Sequence, residues 1–177
     1  MSGILKGYFE SKGAIEDLVC SAGFMHWTIL RPNYLPPSVR GYFPKLGGSY
    51  TLRTAMAPEK RMMPLHPDDI GCFAVAALVE PERFSHRAIE IGEALTAEQV
   101  ARAISEVSGR EIAIEHIPRN VAECLAPSNP QIDSQLWFWE LQDGIEPREP
   151  EAEFGFKLTT SKEFLTANQE LVRETFG

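Results

Sequence analysis

Tyr8 and Lys12 stand four residues apart near the start of a 177-residue chain. On a helix, that spacing puts a phenol and an ammonium one turn apart on the same face. A nearby ammonium favours the ionised form of a phenol and can also hold a sugar hydroxyl. The pair could therefore move a proton during carbonyl reduction. The same spacing also fits a half-buried aromatic beside a solvated lysine, so the surrounding segments must decide.

Those segments alternate. A helix is expected over 8–22, with Ile15, Leu18, Val19 and Ala22 at helical spacing and Gly23 as its stop. The apolar run from Phe24 to Leu30 predicts a strand over 25–31, of the kind covered on both faces. It leaves through Arg31, Pro32, Asn33 and Tyr34. Residues 32–61 hold five prolines and three tyrosines with little periodicity, which predicts a long loop. Its stretch 36–61 is expected to act as a mobile lid over a pocket. A short strand around 62–65 then leads to a helix capped by Asp68, with Ile70, Phe73, Ala74, Ala77 and Leu78 on one face.

Further on, a strand over 87–91 precedes a capping box at Thr96 and Gln99, a helix over 97–108 and a glycine stop at Gly109. Residues 111–117 alternate as an edge strand. Repeated helix–strand alternation predicts an α/β layer with a largely parallel sheet over residues 1–120. From Val121 the pattern changes to helices and loops. A mainly helical C-terminal lobe, 121–177, is expected to pack on the layer. It contains the aromatic run Trp137, Phe138, Trp139 and a helix over 161–174 capped by Thr160 with Glu163.

Composition narrows the function. A formal charge of −8 and a pI near 5.1 argue against nucleic-acid or anionic-membrane partners. No apolar run is long enough to span a bilayer. Cys20, Cys72 and Cys124 are too few and too widely spaced for a metal knuckle or a disulfide framework, and Cys20 and Cys72 read as small core residues. His26, His66, His86 and His116 lack ligand spacing, so no metal site is expected. A reducing, cytoplasmic setting is the default expectation.

The ordered set of segments resembles the C-terminal part of NmrA-like proteins, an atypical branch of the short-chain dehydrogenase/reductase superfamily. The set comprises the Tyr8–Lys12 helix, the strand ending at Arg31-Pro32-Asn33, Pro64 to Gly71, Ala94 to Val100, and Phe154 to Leu165. The resemblance implies the C-terminal portion of a Rossmann-like doubly wound sheet with a small helical substrate lobe. The glycine-rich turn that opens such folds has no counterpart in these residues, because Gly47-Gly48 lies between no strand and helix of the required kind. The dinucleotide-binding half is therefore expected to be missing from this chain.

By the same resemblance, Tyr8 is the proton donor and Lys12 holds the nicotinamide ribose of NAD(P), with NADP the expected form. Pro32 and Asn33 leave the C-terminal end of a parallel strand, where open α/β sheets place ligands, and by resemblance they pass the nicotinamide end. A plain strand exit with Pro32 as breaker explains the same residues. Tyr34 could wall a substrate pocket. His66 could be a pocket polar group or a satisfied turn residue.

Two functions follow as expectations. One is an NAD(P)-linked oxidoreductase of a small organic molecule, in specialised metabolism. The other is a non-enzymatic regulator or binding module, or an inactive remnant, that acts through protein contacts. The chain alone is expected to bind NAD(P) weakly, and to self-associate or take a protein partner over an exposed sheet edge.

Overall fold

The computed structural model describes residues 3–32, 45–46, 49–62, 65–140 and 153–176. The first helix, α1 (Gly3–Ser21), leads to the strand β1 (Thr28–Pro32). Gly23 lies between them at φ +76°, a left-handed conformation that a side chain would strain. Three strands follow, β2 (Lys45–Leu46), β3 (Ser49–Thr54) and β4 (Arg61–Met62). Then come α2 (Pro67–Val79), α3 (Pro81–Phe84), β5 (Arg87–Ile91) and β6 (Leu95–Thr96). The chain continues through α4 (Ala97–Ser108), β7 (Ile112–His116), α5 (Arg119–Leu125) and α6 (Pro130–Glu140). It ends in α7 (Ser161–Ala167) and α8 (Gln169–Phe176).

The long pairings are parallel, as the alternation of helix and strand predicts. β1 runs parallel to β5, with Leu30 opposite Ile89. β3 runs parallel to β7, with Leu52 opposite Ile114, and β2 adds antiparallel on its other side. β4 and β6 form a short antiparallel pair. Crossovers through helices are what parallel strands need: α2 lies on the connection from β1 to β5, and α2 and α4 lie on the one from β3 to β7.

Apolar side chains gather in three clusters. The first joins Leu52 of β3, Val100, Ala101 and Ile104 of α4, Ile112 of β7, Leu165 of α7, and Val172 and Phe176 of α8. The second sits on β5 and packs Ile89 and Ile91 against Phe73, Phe84 and Phe154. Phe84 and Phe154 stack with centroids 5.1 Å apart. The third is small: Ala55, Ile117, Ala122 and Ile132.

Several expectations need correction. The segment 32–61 is not one long loop: β3 lies inside it, and Thr54, Ala55, Met56 and Ala57 are buried. A lid over 36–61 therefore does not hold for residues 50–57, which are packed structure; residues 33–44 and 47–48 lie outside the described residues. Within residues 121–177, Phe154 packs on β5 and the last two helices pack on α4. Asp68 does not cap α2. His66 does, accepting the Asp68 N–H at 3.2 Å through Nδ1, with Pro67 in the first turn. The expected helix 161–174 is two, broken at Asn168. Cys20 and Cys72 are exposed rather than core residues, because the helix faces carrying them point outward.

Candidate functional site

Helix α1 carries the candidate pair and begins five residues earlier than its spacing suggested. From Lys6 onward its half-buried residues are Phe9, Glu16 and Val19, while Tyr8, Lys12, Ile15 and Leu18 lie on exposed surface. Tyr8 is 54% exposed. The ammonium of Lys12 sits 5.4 Å from the centroid of the Tyr8 ring, so the two side chains do share a face. At that distance the contact is a cation–π attraction. The Ser11 hydroxyl donates to the Tyr8 carbonyl at 2.7 Å, one turn back along the helix.

Two further contacts anchor this helix. Phe9 stacks on Trp137 of α6, with centroids 4.4 Å apart and planes 23° from parallel, and Tyr8 meets the Phe9 ring edge-on at 5.3 Å. Arg31, at the C-terminal end of β1, grips Glu16 with two bonds, Nε to Oε1 at 3.0 Å and Nη2 to Oε2 at 2.5 Å. Its Nη1 also donates to Glu90 of β5 at 2.9 Å. The Arg31 guanidinium holds the Glu16 carboxyl below the usual carboxylate range, and the two carboxylates push Arg31 up in turn. Spacing along the chain gave no sign of either anchor. Arg31 lies fifteen residues from Glu16 and Trp137 far beyond Phe9, so only packing brings them together.

The other candidates divide. Pro32 ends β1 on exposed surface, opposite Ile91. Asn33 and Tyr34 lie outside the described residues. His66 has a structural role: besides capping α2, its ring meets Phe164 of α7 edge-on at 5.1 Å. Its contacts thus belong to the packing of α2 and α7. Two histidines far apart in sequence do meet, since His26 Nδ1 lies 3.1 Å and His86 Nδ1 2.8 Å from the Ser85 hydroxyl. No group of histidine, cysteine and carboxylate side chains among the described residues could hold a metal ion. No helix among them is long and apolar enough to cross a membrane.

What the pair can do chemically follows from its donor set. An exposed phenol can give or take one proton, and the adjacent ammonium can donate to hydroxyls of a sugar. That fits the ribose and nicotinamide end of a dinucleotide. The pyrophosphate end needs a helix N-terminus behind a glycine-rich turn, and none of these contacts supplies one.

Comparison with known proteins agrees with the resemblance. The sequence profile of the NmrA-like family matches residues 4–165. Leucoanthocyanidin reductase of Vitis vinifera, solved with NADPH, superposes with a TM-score of 0.69 at 17% identity, over 96% of this chain and 62% of that one. NmrA, described as a negative transcriptional regulator and solved with NAD, gives a TM-score of 0.57 at 17% identity, over 92% of this chain and 56% of its own. A nucleoside-diphosphate-sugar epimerase of Staphylococcus aureus gives 0.62 at 19%, over 87% and 56%. At such identities the likeness shows the fold, a Rossmann-like α/β arrangement. The chain spans a little over half the length of these structures. No curated protein sequence matches it.

Proposed function

The chain belongs to the NmrA-like family, and on that premise we propose that it is the substrate-side part of an NAD(P)-linked oxidoreductase of small organic molecules. Tyr8 and Lys12 are its working pair, and specialised metabolism in the cytoplasm is its setting. The observation carrying this reading is the Lys12 ammonium 5.4 Å from the Tyr8 ring on an exposed face of α1. NADP, when bound, supplies or accepts the hydride. Tyr8 gives its hydroxyl proton to the carbonyl oxygen as the carbon is reduced, and takes it back in the oxidative direction. Lys12 donates to the ribose hydroxyls and favours the phenolate left behind. Pro32, at the end of β1, borders the nicotinamide end in this reading, while the roles that the resemblance implies for Asn33 and Tyr34 fall outside the described residues. His66 caps α2 and packs on Phe164, and this reading assigns it no step.

In this reading a further protein segment holds the pyrophosphate end, seated on the edge of β1 that has no partner among the described residues and on the outward apolar residues of α1 and α2. Leu18 and Leu78 on those helices are 67% and 82% exposed, a pattern that fits a covered face.

A second reading, a dinucleotide-sensing regulator without turnover, draws on one observation. The ammonium lies over the face of the Tyr8 ring, an arrangement that also serves simple packing. The deciding experiment assays the product of the full reading frame with NADPH and NADH against small aldehydes and ketones. Tyr8→Phe should lower kcat about 100-fold or more, while dinucleotide affinity changes less than about threefold. Equal activity of Tyr8→Phe and the parent removes the oxidoreductase mechanism. Tight dinucleotide binding with no turnover of any carbonyl supports the regulator.

A further inference from the structure

The helix that carries Lys12 also carries its natural counter-ion. Glu16 follows Lys12 by four residues, so on an α-helix their side chains are neighbours. The same helix shows what such neighbours do when nothing intervenes: Lys6 and Glu10, in the same order and spacing, close an ion pair at 3.7 Å. Glu16 behaves otherwise. Both its oxygens are taken by Arg31, at 3.0 and 2.5 Å, in a fork that matches a carboxylate better than an ammonium can. Lys12 turns one turn back instead, to the Tyr8 ring.

We infer that Arg31 is a positioning residue for the Tyr8–Lys12 pair: by holding Glu16 it keeps Lys12 from its in-helix partner and leaves the ammonium beside the phenol. The second bond, to Glu90 of β5 at 2.9 Å, fixes the guanidinium against the sheet, so Glu16 cannot carry it toward Lys12. The site thus depends on a residue that touches neither member of the pair. This inference rests on Tyr8 and Lys12 being the working pair, but it concerns their geometry and can be tested without turnover.

The test is nuclear magnetic resonance of the 177-residue chain. An ammonium over an aromatic ring displaces the resonances of the terminal Lys12 methylenes upfield, and Tyr8→Leu identifies that displacement by abolishing it. In Arg31→Met the displacement should be lost, as Glu16 turns to Lys12. In the double variant R31M/E16Q it should return, because the competing charge is gone although the Arg31 tie is still broken. Arg31→Gln, alone and with Glu16→Gln, repeats the comparison with a milder change if the methionine variant does not fold. A displacement that persists in Arg31→Met or Arg31→Gln overturns the inference. So does one that Glu16→Gln fails to restore, which would leave Arg31 as a plain structural tie. Loss of carbonyl reduction in Tyr8→Phe is a separate measurement, so failure of the oxidoreductase reading is distinguishable from failure of this one.

Discussion

Helix α4, of 12 residues, and helices α1 and α2, of 19 and 13, meet their surroundings in opposite ways. Val100, Ala101 and Ile104 of α4 are buried between β3, β7, α7 and α8, and the helix shows water its polar side. On α1 and α2, Ile15, Leu18, Val75, Leu78 and Val79 are large, apolar and exposed, with Phe24 and Met25 nearby in the same state. The sheets differ likewise. β3 has a partner on each side, whereas among the described residues β1 and β5 pair only with each other. One region is thus closed on its own residues. The other has the composition of an interior and the exposure of a surface, and it carries the candidate site. Stability and function are accordingly expected to respond to different residues.

The largest expected effect tests the closed region. Ile104→Ala or Phe176→Ala should lower unfolding free energy by about 3–5 kcal/mol, through lost burial and a remaining cavity. Leu78→Ala should stay within about 0.5 kcal/mol. Urea denaturation of the three variants checks this, and a cost at Leu78 equal to that at Ile104 would erase the distinction. Next comes the dinucleotide. With Lys12 and the strand-end turn as its polar contacts, the chain alone offers about two or three hydrogen bonds of roughly 1–2 kcal/mol each, less the cost of immobilising the ligand. Calorimetry should give dissociation constants no better than about millimolar for NADPH and NADH. Micromolar binding by a monomer would mean that the open region is complete as it stands.

A smaller effect concerns association. If the outward apolar face is made to be covered, copies of the chain should associate through it at high concentration. Leu18→Asp and Leu78→Asp should each weaken that association about tenfold, the 1.4 kcal/mol expected for one lost apolar contact. Sedimentation velocity reads it directly. A parent chain that remains monomeric at every concentration would show that the face tolerates water.

The same contrast explains what could be read from sequence. Helix α4 was legible to the residue because its signals are local: the Thr96–Gln99 box opens it and Gly109, at φ +70°, closes it. The pairing of Tyr8 with Lys12 was legible for the same reason, since spacing of four on a helix is a local fact. β3 was not, because its partner β7 lies some sixty residues on and prolines and glycines surround it in sequence. His66 as a cap carried a usable signal, the Pro67 that follows it, but the acidic pair Asp68 and Asp69 suggested a later start. Cys20 and Cys72 sit on helices whose apolar stripes predict burial, and the open region is where that rule gives way. Arg31, Glu16 and Glu90 come from three elements, and no single-element pattern joins them.

The smallest effect lies in the ionic ties of the closed region. Glu163 completes the capping box of α7: its carboxylate accepts the Thr160 N–H at 2.9 Å and pairs with Lys157 at 2.7 Å. The Lys157 bond first, and the Thr160 bonds after it, hold its pKa down to about 2. An unfolded glutamate titrates near 4.3. Because the folded value is the lower one, the charged form favours the fold. Its contribution is fully present above about pH 4.3 and is lost as pH falls through that value toward 2. The group is open to solvent, so salt should weaken the effect. Glu163→Gln keeps an oxygen able to accept the Thr160 N–H and removes only the charge. Urea midpoints of parent and variant should therefore differ by a constant amount from pH 7 down to about 5, then converge as pH approaches 2. A gap that stays constant to pH 2 would show that the charge of Glu163, and with it the ion pair with Lys157, contributes nothing to the stability of this region.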